Sequence, residues 1–273
     1  MLLSLDSGVS ALDQFQEDLN VIGNNIANVD TVGFKAANME FADALSQTIG
    51  SNAAGVEQVG TGVVTSSITD NFTQGSITST GVPSNMALDG NGFFLVRDPS
   101  TGQEYATRDG NFSVDANGYL VNSVGMRVQG YTTAGGTTMG DIQISNANAP
   151  GGDTSPVQSY TISSNGDVNI LLADGTEFTS GQILLQNFTS PTQLTSVGNN
   201  LYSGLTSAGP LTTPEAPTTN GLGTLVSGSL EMSNVDLASQ LTALITAQRG
   251  FEANAQTVTT SNEVLQDLVN LKH

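Results

Sequence analysis

Leu237-Ala-Ser-Gln-Leu241-Thr-Ala-Leu244-Ile-Thr-Ala-Gln248-Arg-Gly-Phe251-Glu-Ala-Asn-Ala255-Gln-Thr-Val258-Thr-Thr-Ser-Asn262-Glu-Val-Leu265-Gln-Asp-Leu-Val269 places its numbered residues at alternating spacings of four and three without a slip. Such a set forms one narrow stripe on a slightly underwound helix, the seam of a left-handed supercoil. The front of the chain repeats the pattern with Leu5, Gly8, Leu12, Phe15, Leu19, Ile22 and Ile26. Neither helix can bury its stripe alone.

The front helix is expected over residues 3–25, where Asn24, Asn25, Asn28, Asp30 and Gly33 supply stop chemistry. The last helix has the clearest start. Ser233 can cap it, its hydroxyl accepting from the backbone N–H of Asp236, while Asp236 reaches back in a capping-box arrangement. Running from 234 to 271, it would be roughly 55 Å long at the helical rise. The two terminal helices either pair with each other or bury their stripes against other copies. Gln248 and Asn262, polar at seam positions that specify register, and the position of each helix at a chain end favour assembly.

Between the helices the chain reads as loop-rich β structure. Phe34, Met39, Phe41, Ala44 and Leu45 suggest a short helix, and residues 49–62 a loop. Strand signals follow at 63–68, 86–88, 93–96, 119–131, 160–162, 168–172 and 183–188. Asx-Gly pairs such as Asn117-Gly118, Asn165-Gly166 and Asp174-Gly175 suit the two positive-φ positions of type I′ hairpin turns. Residues 132–156 and 203–223 look irregular. The expected fold is α+β and mainly β: an antiparallel β domain over 85–195, connecting segments over 31–84 and 196–231, and a helical domain from 1–30 and 232–273 whose coiled-coil helices pair.

The net charge of −19 rests on 25 acidic residues against only six basic ones, Lys35, Arg97, Arg108, Arg127, Arg249 and Lys272, which form no cluster. A phosphate backbone or anionic bilayer would be repelled, so neither nucleic acid nor membrane insertion is expected. Charged residues make up 11% of the chain, so Ser, Thr, Asn, Gln and Gly cover a surface that desolvates cheaply against copies of itself. With no cysteine and one histidine, His273, thiol, Ser-His and metal-thiolate chemistry have no residues to use, and no cofactor is expected. Met1-Leu-Leu-Ser-Leu-Asp6 has no basic n-region, which points to the cytoplasm or to export without a cleaved signal.

Asp89, Asp109, Asp115, Asp167 and Asp174 could be drawn as a carboxylate pair or a calcium cluster, but nearly all sit beside Gly or Asn in turns, where Asp bonds its own backbone. A carbohydrate-acting β module would need a cleft of paired carboxylates and aromatics. A chain with no tryptophan and 5% aromatic residues supplies this poorly.

Longer motifs carry a resemblance. Ser7-Gly-Val-Ser-Ala-Leu12, Leu19-Asn-Val-Ile-Gly-Asn24-Asn25-Ile-Ala-Asn28 and Thr31-Val-Gly33-Phe34-Lys35 resemble the amino-terminal signature of the bacterial flagellar rod and hook proteins. Ser233-Asn234-Val-Asp236-Leu-Ala238, Ala247-Gln-Arg249-Gly250, Ala253-Asn254 and Leu265-Gln266 resemble its carboxy-terminal partner. Asp89-Gly-Asn-Gly-Phe-Phe94, Thr107-Arg-Asp-Gly-Asn-Phe112 and Asp115-Ala-Asn-Gly-Tyr-Leu-Val121 are similar to the family's β domain. Within the family, Ser46-Gln-Thr-Ile49 and Gly198-Asn-Asn-Leu-Tyr202 look most like the hook protein, here in a short form without its extra outer domain. The length resembles the distal rod protein, which stays as the alternative.

The resemblance implies a structural subunit, not an enzyme, exported unfolded through the flagellar channel and polymerising with itself. Its partners would be other axial proteins (rod, hook, hook-filament junction, cap) and the export apparatus. The terminal stripes would line an inner tube at the basal body or hook, and the β domain would form its shell.

Overall fold

The computed structural model describes residues 2–52, 55–133, 135–150, 154–211 and 213–270. They divide into two units: Met1–Val29, Ala36–Asn71 and Val235–His273 form the first, Asp30–Lys35 and Phe72–Asn234 the second. Two long helices and a mainly antiparallel β body give the α+β architecture that the sequence implies.

The first unit contains helix α1 (Leu2–Ala27), strands β1 (Ala37–Asp43), β2 (Ser46–Asn52), β3 (Gly55–Gly60) and β4 (Val63–Asp70), and helix α2 (Leu237–Asn270). β1 pairs with β4 from Ala37↔Asp70 to Asp43↔Val63, and β2 with β3 from Ser46↔Gly60 to Asn52↔Gly55, giving two successive ribbons. Two expectations fail here. Residues 37–43, expected within a short helix, are strand: Met39 and Phe41 flank Glu40 at a period of two, and the side-chain amide of Asn25 pairs with the backbone of Ala37 in both directions, at 2.8 and 3.0 Å. Residues 49–62, expected as a loop, are largely β2 and β3, with 53 and 54 outside the described residues. The run is small and polar and offers no apolar alternation by which the sequence would display a strand.

The α2 cap also differs. The helix begins at Leu237, and the Asp236 carboxylate accepts from the Ala238 N–H at 3.0 Å, so Asp236, not Ser233, is the N-cap. Asn234 is occupied elsewhere, donating to the Thr73 carbonyl and hydroxyl within the second unit.

The second unit starts with β5 (Ile77–Ser79), β6 (Met86–Asp89), β7 (Phe93–Arg97), β8 (Glu104–Thr107), β9 (Ser113–Val114), β10 (Leu120–Val121), β11 (Arg127–Tyr131) and β12 (Met139–Asp141). It continues with β13 (Val157–Ile162), β14 (Asp167–Leu172), β15 (Glu177–Ile183), β16 (Leu185–Gln186), β17 (Thr195–Gly198), β18 (Leu201–Ser203), β19 (Thr224–Ser227) and β20 (Ser229–Glu231). The main sheet runs β13-β14-β15-β11-β7-β8-β18-β17, while β19 pairs with β6 and β20 with β5. β7 explains its uninterrupted apolar sequence. Phe94 and Val96 enter the principal core with Leu88, Phe112, Val128 and Ile170, whereas Phe93 enters a second cluster with Phe188 and Tyr202, so the strand is covered on both faces.

The hairpin turns are of another type than expected. At Asp115–Tyr119, Asn122–Met126, Ser163–Asp167 and Leu172–Thr176 the fourth residue is a glycine donating to the carbonyl of the first, and the first donates to the carbonyl of the fifth. Only the glycine (Gly118, Gly125, Gly166, Gly175) has positive φ, the three-residue loop with a glycine bulge rather than type I′. The Asx side chain accepts from the chain ahead of it: Asp115 Oδ1 from Asn117 N and Tyr119 N, both at 2.8 Å. Two successive non-glycine residues of positive φ, Asn199 and Asn200, join β17 to β18.

A buried ion cluster gathers the places where the chain enters and leaves the second unit. Glu231 Oε1 accepts from Lys35 Nζ at 2.6 Å and from the Gly75 N–H at 2.9 Å, its Oε2 lies 3.4 Å from Arg108, and its backbone carbonyl accepts from Gly33 N–H at 2.8 Å. Lys35 Nζ also donates to the Thr73 carbonyl at 2.8 Å, and the Arg108 guanidinium stands 5.1 Å over the Phe93 ring. The Lys35 and Glu231 side chains are wholly buried. Burial holds Lys35 and Arg108 below their usual ranges, against the upward pull of Glu231.

Glu231→Ala leaves two buried cations without their carboxylate and is expected to cost about 3–5 kcal/mol in urea unfolding; a loss below about 1 kcal/mol would contradict the cluster's role. Gly110 faces a second constraint, since an added Cβ would lie 1.6 Å from the Met86 carbonyl oxygen. Gly110→Ala is expected to destabilise by about 1–3 kcal/mol or more in the same measurement, and an unchanged midpoint would contradict the packing.

Candidate assembly surface

α1 and α2 lie antiparallel, as three contacts fix. An added Cβ on Gly8 would meet Val258 Cγ2 at 2.9 Å, one on Gly250 would meet the Phe15 ring at 2.6 Å, and Asn25 Nδ2 donates to Gln240 Oε1 at 3.1 Å. Glycine is required at positions 8 and 250 because each receives a side chain from the other helix. Asn25, 1% exposed, joins α1, β1 and α2 through its bonds to Ala37 and Gln240.

The α1 stripe faces this seam: Ile22 is buried, and Leu5, Leu12, Phe15, Leu19 and Ile26 are half-buried. On α2 the residues that are not exposed are Gln240, Ala243, Leu244, Ala247, Gly250, Phe251, Asn254, Ala255, Val258, Ser261 and Leu265. The stripe read from residue type therefore divides. Leu244, Phe251, Ala255, Val258 and Leu265 are half-buried, Val258 against Gly8 of α1, while Leu237, Leu241, Gln248, Asn262 and Val269 are exposed. The rotation has a steric cause: Ala247, Gly250 and Ser261 are small, and small residues set the line of closest helix approach. Residue hydrophobicity alone points to the larger side chains beside it.

The other motif residues have local roles. Asn28 Nδ2 donates to the Asn24 carbonyl and Oδ1, both at 2.9 Å, closing the end of α1. Gly33 has φ +69°, and an added Cβ would lie 2.7 Å from Asp109 N. Phe34 is half-buried after a turn in which its N–H reaches the Thr31 carbonyl at 3.4 Å. Arg249 pairs with Glu252 at 2.8 Å on the exposed side of α2. Ser233 precedes the cap and lies against Gly75, where an added Cβ would be 3.2 Å from the Ser233 carbonyl carbon.

Beside the seam, Phe15 and Phe41, with ring centroids 5.8 Å apart, wall an open groove of about 690 Å³ floored by Ala238, Thr242, Ala243, Thr246 and Ala247. Asp18 and Asp236 stand at its rim, and burial pushes the Asp18 carboxyl up. No described helix is long and apolar enough to cross a membrane, and among the described residues no cluster of three His, Cys, Asp or Glu is placed to hold a metal. Sequence reasoning missed Glu231, a lone acid between Leu230 and Met232. Its signal lay in its partners, since a chain so poor in cations has two, Lys35 and Arg108, that are buried and need a counter-charge.

Three family descriptions match in chain order: "Flagella basal body rod protein" over residues 5–35, "Flagellar hook protein FlgE/F/G D1 domain" over 87–170, and "Flagellar basal body rod FlgEFG protein C-terminal" over 226–271. The flagellar basal-body rod protein FlgG of Bacillus subtilis is 42% identical over 280 aligned positions covering 100% of both chains. That of Borreliella burgdorferi is 32% identical over 284, covering 100% of this chain and 99% of its own. The flagellar hook protein FlgE of Borreliella burgdorferi is 26% identical, in an alignment stretched to 445 positions. Both kinds of relative span this chain, so short motifs do not separate them, and the compact alignment favours the rod over the short-hook expectation. The chain belongs to the flagellar rod and hook protein family.

Proposed function

We propose that the chain is a subunit of the distal rod, polymerising with itself into the straight shaft of the flagellar basal body. One observation carries this reading: the end-to-end match to a rod protein at 42% identity with hardly any insertion, against a hook protein that needs long segments this chain lacks. The work of such a subunit is mechanical, and we assign it no catalysis. Its partners are copies of itself, the axial proteins before and after it (rod, hook, hook-filament junction and cap) and the export apparatus that delivers it.

The α1–α2 pair would form the inner layer of the shaft and the β body the outer one. Leu5, Leu12, Phe15, Leu19, Ile22, Ile26, Leu244, Phe251, Val258 and Leu265 hold the pair together within one subunit. Leu237, Leu241, Gln248, Asn262 and Val269 are the seam residues left for neighbours. Charge shapes how neighbours meet. Each of the five basic residues among the described ones is already in an ion pair with an acid of its own chain, and Asp6, Asp13 and Glu17 form an exposed row along α1. Approaching copies therefore present uncompensated negative charge to each other.

A strain lacking this chain is expected to stop at incomplete rods with no hook, seen in isolated basal bodies by electron microscopy. Complete rods without hooks would return the assignment to the hook. For the purified protein, raising ionic strength from about 0.01 to about 1 M shortens the screening length about tenfold, so the concentration at which polymer sediments should fall. A rise with salt would show that attraction between opposite charges, not relief of repulsion, controls assembly.

A further inference from the structure

The first turns of α2 carry two adjoining rows of opposite relief. Leu237, Leu241 and Ile245 stand four residues apart and are 44, 46 and 57% exposed, a ridge of aliphatic side chains in solvent. One residue on, Ala238, Thr242 and Thr246 repeat the same spacing with small side chains, and they floor the groove walled by Phe15 and Phe41. Rows of this spacing are the ones that interdigitate when helices pack ridge into groove.

We propose that the Leu237–Leu241–Ile245 ridge of one subunit seats in the Phe15–Phe41 groove of the next. Successive residues on a helix are about 100° apart, so ridge and groove face different ways and one copy uses them on two different neighbours. A contact of this heterologous kind leaves a free ridge at one end and a free groove at the other, and it grows an open polymer instead of closing a dimer. The occupant is a second copy, because the same chain supplies an aliphatic row of matching period for the groove's Ala/Thr row, whose burial has to outweigh the desolvation of Asp18 and Asp236 in the groove lining. Burying three aliphatic side chains also supplies attraction that salt does not weaken. The contact rests on the reading of the chain as a polymerising axial subunit.

The test uses full-length protein in two variants. Leu241→Asp with Ile245→Asp removes the ridge and keeps the groove; Thr242→Trp with Thr246→Trp fills the groove and keeps the ridge. All four positions are exposed, so circular dichroism should show unchanged helix content, and Ile245→Asp alone and Thr246→Trp alone serve if either double variant misfolds. Under conditions where wild type sediments as polymer, each variant alone should stay monomeric in analytical ultracentrifugation, with at least a tenfold higher critical concentration. An equimolar mixture should stop at a one-to-one dimer, the intact ridge of one variant in the intact groove of the other. Polymer from either variant at the wild-type concentration, or a mixture that remains monomeric, overturns the contact while leaving the axial function standing. Wild type that stops at a closed dimer also overturns it, and wild type that stays monomeric at every salt concentration sinks the polymer reading and this contact together.

Discussion

The close antiparallel approach of the two chain ends is the constraint on which the helical unit depends. Gly8 and Gly250 each admit a side chain of the opposite helix, Val258 and Phe15, and any larger residue there would push the axes apart. Once the helices are that close, Asn25 can reach Gln240 and the backbone of Ala37 together, so one buried amide fixes two helices and the first strand. An amide in that setting stabilises because its partners are all present, and its loss would strand a buried backbone pair. The closeness also decides what is left over. With Ala247 and Gly250 turned inward, Leu237, Leu241 and Ile245 must turn outward, and the surface available for neighbours follows from the packing within.

In the β unit the same organising part is taken by Glu231. Its side chain and carbonyl together meet Gly33, Lys35, Gly75 and Arg108, residues up to 198 positions away along the chain. Buried ion clusters add little net stability relative to apolar packing, but they tolerate few alternative arrangements. That property suits a joint through which the chain passes four times. It also means that the unit cannot be completed until β20 has arrived, because neither Lys35 nor Arg108 has its carboxylate before then.

Much of this was legible in the residues and some of it was not. Both helices, the mainly β middle and the Phe93–Val96 strand follow from periodicity and run length. The identity of the packed seam did not, because apolarity marks large side chains whereas helices approach along small ones, and Ala247, Gly250 and Ser261 carry no hydrophobic signal. Residues 49–62 read as loop because the stretch is small and polar and shows no apolar alternation. Asn117-Gly118, Asn165-Gly166 and Asp174-Gly175 placed three of the four glycine-bulge turns and mistyped them, because a glycine in the left-handed region serves both a two-residue turn and a bulged three-residue one; the turn at Asn122–Met126 has Val124 before its glycine and gave no Asx-Gly signal. Glu231 was invisible for a related reason: a single acid in a strand has no period, and its meaning lies in cations distant along the chain.

In the proposed shaft each subunit pairs its own terminal helices and polymerises through what that pairing leaves exposed. Electron cryo-microscopy of the assembled polymer, at a resolution that traces side chains, addresses it most directly. The expected density has α1 and α2 of one subunit antiparallel, with Gly8 against Val258 and Phe15 on Gly250, and the Leu237–Ile245 ridge covered by a neighbour. Helices exchanged between subunits, or a ridge left facing solvent in the finished shaft, would contradict it.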